Sequence, residues 1–148
     1  MDAPGPNSAV HIVTFPIRWL DFDRFGHVTN SAYVEFAQEA RLKFGRDLFQ
    51  ARGMNLQAFV RHIELDYLRP ILPWATEVTV ESYVTNIGRT SYSTHQEIKD
   101  PEGRVCCVVD VVSVAVDLPE GTSRALTDRE QGLLETLTPP SELPGPTE

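Results

Sequence analysis

One long amphipathic helix, followed by four strands with short connections, constrains the fold more than any other feature of the sequence. The helical pattern covers residues 30–49, and its apolar positions recur at spacings of three and four. Thr29 or Asn30 is suited to cap its start. The apolar positions of this helix are Tyr33, Phe36, Ala37, Ala40, Phe44 and Leu48.

The strand patterns lie on both sides of this helix, and the turns between the later ones are only a few residues long. Parallel neighbours would need crossovers of a dozen residues or more, so the sheet is predicted to be mainly antiparallel. The helix must bury its apolar face against that sheet, which predicts an α+β domain. The strand patterns cover residues 10–19, 59–68, 77–87, 90–99 and 104–118.

Two details complete this prediction. In the strand at 59–68, alternation places Phe59 on the same face as Ile63, Leu65 and Tyr67. A short C-terminal helix at 127–137 begins with a capping box, in which Thr127 is followed three residues later by a glutamate.

The chain of 148 residues is predicted to form one domain. Residues 1–8 and 138–148 are rich in proline, and we interpret both as disordered tails around a domain at 9–137.

The charge balance argues against several classes of partner. Lys and Arg number 13 against 21 Asp and Glu, and a net charge of -8 disfavours nucleic acid. The most apolar run, 105–116, is interrupted and too short for membrane insertion. The only cysteines, Cys106 and Cys107, are adjacent, so they form neither a disulfide framework nor a metal-ligand pair. A cytoplasmic protein is the simplest interpretation.

The most unusual segment is 21–30, read DFDRFGHVTN, which ends where the long helix begins. Free backbone N–H groups and the positive end of the helix dipole lie there. A carboxylate beside such donors, Asp21 or Asp23, could act as a base or a nucleophile while the donors stabilise an oxyanion. The alternative is a polar loop with a helix cap.

The segment 21–41, read DFDRFGHVTNSAYVEFAQEAR, resembles the signature of hotdog-fold acyl-CoA thioesterases, closest to the 4-hydroxybenzoyl-CoA thioesterase-like branch. Two weaker blocks, 66–70 (DYLRP) and 87–92 (IGRTSY), also resemble that family, in the expected order. The chain has LPWAT at 72–76, where the family usually has a Gly-Asp pair. The matching signature residues are Asp23, Gly26, His27, Val28, Asn30, Tyr33, Glu39, Ala40 and Arg41.

The resemblance implies a hotdog fold, in which a curved, mainly antiparallel five-stranded sheet wraps the long central helix. It implies a homodimer with active sites at the subunit interface, often paired into a homotetramer. It also implies hydrolysis of a fatty or aromatic acyl-CoA to the free acid and CoA, within lipid metabolism, with no metal or redox cofactor. Coenzyme A would be part of the substrate.

The same resemblance assigns roles to particular residues. Asp23 matches the catalytic acid, the backbone N–H of Asn30 would stabilise the oxyanion, and His27 would assist as an acid or steer the acyl group. Gly26 and Tyr33 would line the substrate pocket. Arg89, Thr90 and Ser91 lie in a turn suited to phosphate and would contact coenzyme A.

Each role has a structural alternative. Asp21 is favoured as a loop hydrogen-bond acceptor, Tyr33 could pack in the core, and Arg89 could be a surface arginine. Another hotdog branch takes its acid from the helix, where Glu35 and Glu39 lie. An ion pair of Glu39 with Arg41 is the favoured interpretation there.

Two rival functions remain open from the sequence. A hotdog enoyl-CoA hydratase carries an Asp and a His five residues apart around Asn-Pro, whereas Asp23 and His27 are four apart without that pair. A non-catalytic acyl-CoA-binding hotdog protein would differ from a thioesterase only in lacking turnover.

Overall fold

One long helix lies against a single curled antiparallel sheet in the computed structural model, which describes residues 9–140. Of the tails predicted at 1–8 and 138–148, residues 1–8 and 141–148 lie outside the described residues. The helices are α1 (Asn30–Leu48) and α2 (Asp128–Glu135). The strands are β1 (His11–Pro16), β2 (Ala58–Tyr67), β3 (Glu77–Ile87), β4 (Ser91–Lys99), β5 (Val105–Asp117) and the short β6 (Thr122–Ser123).

Every strand pair in the sheet is antiparallel, and the strand order is β1-β3-β4-β5-β2, with β6 added beside β5. The predicted α+β hotdog architecture of five main strands around a long helix is confirmed. Two details differ from prediction. The two-residue strand β6 was not expected, and β1 ends at Pro16 because a 3-10 turn at Trp19–Asp21 redirects the chain.

The apolar stripe of α1 is buried against the concave face of the sheet, as its spacing predicts. Phe36 and Phe44 are 6% and 4% exposed, and the alanines between them let the helix approach the strands closely. Removal of a buried Phe side chain typically costs about 3–5 kcal/mol, so this contact is a major source of stability. The stripe packs against sheet residues that include Val78, Val80, Ile98, Val109 and Val111.

A bulge in β2 overturns the predicted alternation of that strand. The register shifts between Val60 and His62, so one extra residue reverses the face on which the preceding side chains lie. Phe59 pairs with Val114 on the outer face, whereas Ile63 pairs with the buried Val111 on the inner face. The prediction that Phe59 shares a face with Ile63 is therefore wrong.

Strand β2 is an edge of the sheet, with β5 as its only strand partner within residues 9–140. Three of its large apolar side chains, Phe59, Val60 and Tyr67, are each about half exposed. The other edge, β1, exposes only Thr14 and Pro16. Of the two edges, β2 is the one that leaves apolar surface in water.

The predicted capping box starts α2. The Thr127 hydroxyl accepts a hydrogen bond from the Glu130 N–H at 3.1 Å, and Glu130 accepts one from the Thr127 N–H at 2.8 Å. Past the helix, the Thr138 hydroxyl is buried and donates to the Leu134 carbonyl.

Across residues 9–140, none of the helices has the length and apolar character that crossing a membrane requires.

Candidate active site

A cleft of about 290 Å³ lies at the N-terminal end of α1. The loop that leads into the first turns of α1 meets the end of β2 there, so two separate segments of the sequence, 23–33 and 67–70, form its walls. Its lining comprises Asp23, His27, Val28, Asn30, Tyr33, Tyr67, Leu68, Arg69 and Pro70. Four of the predicted site residues, Asp23, His27, Asn30 and Tyr33, are therefore brought together.

The loop before α1 is closed by backbone hydrogen bonds between Asp23 and His27. The Asp23 N–H donates to the His27 carbonyl at 2.7 Å, and the Gly26 N–H donates to the Asp23 carbonyl at 3.0 Å. Gly26 has φ of 81°, and a Cβ at this position would lie 3.0 Å from Pro73 Cγ. Gly26 is therefore required for the turn of this loop, since only glycine adopts it without strain, but it is not among the residues that line the cleft.

The Asp23 carboxylate is exposed and is oriented by the loop that it closes. Its Oδ1 accepts hydrogen bonds from the N–H groups of Phe25, at 2.8 Å, and His27, at 3.1 Å. Within residues 9–140 no partner is found for Oδ2. One oxygen therefore holds the loop, and the other is available to a ligand in the cleft.

Asp21 has a different environment, in keeping with its predicted loop role. Its carboxylate is 2% exposed and binds the Arg18 guanidinium, with Nη2 2.8 Å from Oδ1, as well as the Arg18 N–H. Burial alone would raise the pKa of Asp21, but the hydrogen bonds from Arg18 outweigh it and hold the pKa below its ordinary value. The Asp21 carboxylate thus braces the loop.

The start of α1 is open towards the cleft. Thr29 is the N-cap, but its side chain makes no capping hydrogen bond, and Asn30 is already the first helical residue. The predicted N-cap position is therefore confirmed at Thr29, but the capping hydrogen bond from its side chain is not formed. The N–H of Asn30 has no partner within the described residues, as expected of the first amides of a helix. Asn30, which carries this donor at the positive end of the helix dipole, lines the same cleft as Asp23.

Two tyrosines form the other wall. The buried Tyr33 hydroxyl accepts a hydrogen bond from the Ile71 N–H at 3.1 Å, and burial raises the pKa of this hydroxyl. Tyr67 packs edge-on against Tyr33, with ring centroids 5.3 Å apart, and donates its hydroxyl to the Asn30 carbonyl at 3.1 Å. Tyr67 therefore links β2 to the first residue of α1.

Sequence reasoning missed Tyr67 and Arg69 as site residues. Both lie in the block 66–70 that resembles the family, which was the available signal. Arg69 is exposed at the rim of the cleft, and no carboxylate of the described residues pairs with it.

The other predicted substrate residues lie at the opposite end of the sheet. Arg89 and Thr90 form the turn between β3 and β4, and Ser91 begins β4, opposite Val114 of β5. Val114 is in turn opposite Phe59, eight residues along β2 from Tyr67 in the cleft. At about 3.3 Å per residue, these eight residues separate the β3–β4 turn from the cleft by about 26 Å along the sheet. Within a single chain, Arg89, Thr90 and Ser91 therefore do not reach the cleft.

The alternative acids are outside this cleft. Glu35 binds Arg18 at 3.1 Å, and Glu39 lines a separate cleft beside β1. The expected pair of Glu39 with Arg41 is absent within residues 9–140, because Arg41 donates to Gln96 instead, at 2.9 Å. On the outer face of the sheet Glu64 binds His62.

Comparison with known proteins places these features in a family. A family model described as the thioesterase-like superfamily matches residues 17–144. The long-chain acyl-CoA thioesterase FadM of Escherichia coli is 29% identical over 125 residues, which cover 82% of this chain and 94% of FadM. YsmA of Bacillus subtilis, an uncharacterized protein, is 27% identical over 122 residues, covering 82% and 80% of the two chains.

Solved structures share the fold. A thioesterase from Thermus thermophilus, complexed with coenzyme A and Zn, has a TM-score of 0.75 at 24% identity and covers 89% of this chain and 96% of its own. Slr0204 from Synechocystis, a 1,4-dihydroxy-2-naphthoyl-CoA thioesterase, has a TM-score of 0.70 at 16% identity, with 84% and 95% covered. The assignment to the 4-hydroxybenzoyl-CoA branch stays a prediction. The chain belongs to the thioesterase-like superfamily and is a thioester hydrolase with the hotdog fold.

Proposed function

We propose that this protein hydrolyses acyl-CoA thioesters, with Asp23 as the catalytic carboxylate and the N–H of Asn30 as the oxyanion donor. The observation that carries this proposal is the cleft at the start of α1. An exposed carboxylate with one free oxygen and an open helix N-terminus line the same 290 Å³ volume. The family assignment favours a hydrolase over the binding protein and the hydratase that the sequence left open.

A single carboxylate is sufficient for this chemistry because a thioester carbonyl is weakly stabilised by resonance and its thiolate leaves readily. In one route Asp23 Oδ2 takes a proton from water while the water oxygen attacks the carbonyl carbon. In the other, Oδ2 attacks directly, and water then hydrolyses the mixed anhydride. In both routes the C–S bond breaks, CoA leaves as the thiolate, and the acyl group ends as a carboxylic acid.

The helix start stabilises the charge that develops on the carbonyl oxygen. A backbone donor at this position acts in a preorganised site, and one such donor is typically worth about 10²–10³-fold in rate. His27 lines the same cleft and would steer the acyl group or assist as an acid, while its backbone holds Asp23. The rings of Tyr33 and Tyr67 supply an apolar wall, since both hydroxyls are hydrogen-bonded to the backbone.

A second copy of the chain would complete the site. Antiparallel pairing of β2 with the β2 strand of another copy would cover the half-exposed Phe59 and Val60. It would also give hydrogen-bond partners to the unpaired backbone N–H and C=O groups of this edge strand. Because the strand direction reverses, the Tyr67 end of one copy would lie beside the Phe59 end of the other. The turn with Arg89, Thr90 and Ser91 would then lie near the cleft of the second copy, where it could bind CoA phosphates. We propose this homodimer, with two dimers forming a tetramer.

The substrate class is a fatty or aromatic acyl-CoA. The name of FadM, a long-chain acyl-CoA thioesterase, supports a fatty substrate, and the name of Slr0204 supports an aromatic one. Coenzyme A in the Thermus thermophilus structure supports CoA as the carrier. The proposed reaction requires no metal or redox cofactor, and it fits a cytoplasmic role in lipid metabolism.

A substrate screen tests the proposal. Thiol release should be followed with acyl-CoAs from short to long chains and with benzoyl-CoA and 4-hydroxybenzoyl-CoA. We expect at least one of these to be hydrolysed, with activity lost in Asp23→Asn. Tight CoA binding without thiol release from any of them would instead support a binding protein, and hydration of crotonyl-CoA would support the hydratase.

A further inference from the structure

A second pocket along α1 carries positive charge in an otherwise acidic protein. It has a volume of about 470 Å³ and lies between the second half of α1, the start of β2 and the inner face of β4 and β5. Arg41 and Arg46 line it, and no aspartate or glutamate does. The cleft beside β1, in contrast, is lined by Arg18 together with Glu35 and Glu39. The whole chain has a net charge of -8, so a pocket whose charged side chains are all arginines differs from the rest of the protein and is suited to an anionic ligand.

Arg41 is the inner of these two cations, and a buried glutamine fixes its position. Its Nη1 donates to Gln96 Oε1 at 2.9 Å. Gln96 is 0% exposed, and its amide nitrogen donates to the Ala37 carbonyl at 3.0 Å and to the Ser82 hydroxyl at 3.1 Å. Because Gln96 is held at both of these points, it holds the guanidinium at the pocket wall in one orientation.

The guanidinium of Arg41 is half-buried but lacks a charge partner. No carboxylate within residues 9–140 lies within ion-pair distance of it, and burial lowers its pKa below the ordinary arginine value. A desolvated cation is normally paired, because an uncompensated buried charge is costly. Beside it, Tyr92 and the buried Ser113 add two hydroxyls to the pocket wall. The pocket thus presents a guanidinium that is held by Gln96 and that no carboxylate of the described residues neutralises.

We propose that this pocket binds an oxyanion group of the thioester substrate and that Arg41 is the residue that recognises it. The guanidinium fork matches the geometry of a carboxylate or a phosphate. An acyl-CoA can carry such a group in two places: the phosphates of CoA, and the far end of the acyl chain where that chain ends in a carboxylate. This inference rests on the proposed acyl-CoA thioesterase activity for the identity of the ligand.

The position of the pocket is compatible with such a substrate. Arg41 lies eleven residues along α1 from Asn30, about 17 Å at the helical rise, so the pocket is separate from the Asp23 cleft of the same chain. Its β2 wall is formed by Ala58 and Val60, at the end of β2 that the proposed dimer would place beside the cleft of the second copy. An acyl group held at that cleft would then extend towards Arg41.

Matched substrates test the proposal and separate the two sources of the anion. Octanoyl-CoA and suberyl-CoA differ only in a terminal carboxylate, and their N-acetylcysteamine thioesters lack the CoA phosphates. The variants are Arg41→Gln and, as a matched control, Arg129→Gln, an exposed arginine of α2 for which no ion pair is found within the described residues. All measurements use the full chain, with its oligomeric state checked by light scattering.

If the pocket takes an acyl carboxylate, Arg41→Gln should raise KM for suberyl-CoA about 10- to 100-fold relative to octanoyl-CoA. If it takes a CoA phosphate, KM should rise to the same extent for both CoA esters and not for the N-acetylcysteamine thioesters. The proposal is overturned if Arg41→Gln matches Arg129→Gln on every substrate. It is also overturned if all four substrates lose kcat together as the oligomer dissociates, which would make Arg41 a structural residue.

Binding without turnover provides an independent measurement. Suberate or inorganic pyrophosphate at millimolar concentration should raise the melting temperature of the wild-type protein, and Arg41→Gln or Arg41→Lys should reduce that shift. If the wild type hydrolyses no thioester, the proposed function fails, but an Arg41-dependent shift still supports the anion site. If neither anion shifts the wild type, the site is overturned whatever the activity.

Discussion

The backbone of His27 holds Asp23 from both sides: its N–H donates to the Asp23 carboxylate at 3.1 Å, and its carbonyl accepts from the Asp23 N–H at 2.7 Å. A five-residue loop, 23–27, is thereby closed around the carboxylate just before α1. The Oδ1 that accepts these N–H bonds is distinct from the oxygen left for substrate. Structural and catalytic roles of Asp23 can therefore be separated by substitution.

Asp23→Asn should abolish most activity while the fold is retained. The asparagine carbonyl can still accept from the N–H groups of Phe25 and His27, so the melting temperature should change little. The charge needed by a base or nucleophile is lost, and kcat/KM should fall at least ~10²–10⁴-fold. Steady-state kinetics on the best acyl-CoA and a thermal melt provide the two measurements.

Asp21→Asn is the matched control two residues away. It removes the charge that Arg18 binds, so the melting temperature should fall, while the folded fraction should keep most of its kcat. Wild-type activity in Asp23→Asn together with an inactive Asp21→Asn would mean that the catalytic position was misassigned.

Arg89→Ala should mainly weaken substrate binding. Arg89 is exposed in the β3–β4 turn, and removal of a phosphate contact that is equal in the ground and transition states raises KM with kcat nearly unchanged. Mixing this variant with Asp23→Asn provides a sharper test. If the turn serves the cleft of the second copy, mixed dimers contain one intact site, and activity should partly recover. A fall in kcat at constant KM would contradict the phosphate role.

Light scattering at micromolar concentration should show a dimer or tetramer and no monomer. Phe59→Lys places a charge on the half-exposed edge strand β2 and should shift the population towards monomer with loss of activity. Leu118→Lys is the control, since Leu118 is also half exposed but lies outside β2. An active monomer would refute both the interface and the shared site.

Glu130→Gln should destabilise the protein at neutral pH and much less in acid. The hydrogen bonds from Arg124 outweigh burial and hold the pKa of Glu130 below its ordinary value. The charged form is therefore favoured by folding, and its contribution is present above the ordinary glutamate pKa and lost as pH falls through the folded one. Because hydrogen bonds to a charged group are lost, we expect Glu130→Gln to lower the free energy of unfolding by about 1–3 kcal/mol at pH 7.

Urea unfolding at pH 7 and at pH 3 measures this difference. Glu135→Gln, at the exposed end of the same helix, is the control and should change the unfolding free energy by no more than about 0.5 kcal/mol. An equal cost of Glu130→Gln at both pH values would show that the carboxylate charge is not responsible.

Local patterns in the sequence determined the elements of this protein. The spacing of Phe36 and Phe44 sets which face of α1 is buried, and the pair Thr127 and Glu130 sets where α2 begins. The short turns require antiparallel neighbours. These features depend on residues within a few positions of each other, so periodicity and capping are enough to predict them. The motif around Asp23 belongs to the same class, because its loop closes on itself within five residues.

Only the tertiary structure decided which distant residues meet. The bulge after Val60 turns Phe59 to the outer face, because a shift of one residue reverses the side of a strand. Arg41 bonds to Gln96 rather than to Glu39, since β4 passes beneath that turn of the helix. Tyr67 reaches Asn30, whereas Arg89 lies about 26 Å away along the sheet, because strand order and register place their ends. Strand pairing joins residues that are far apart in the chain, and no local pattern encodes which of them will face each other.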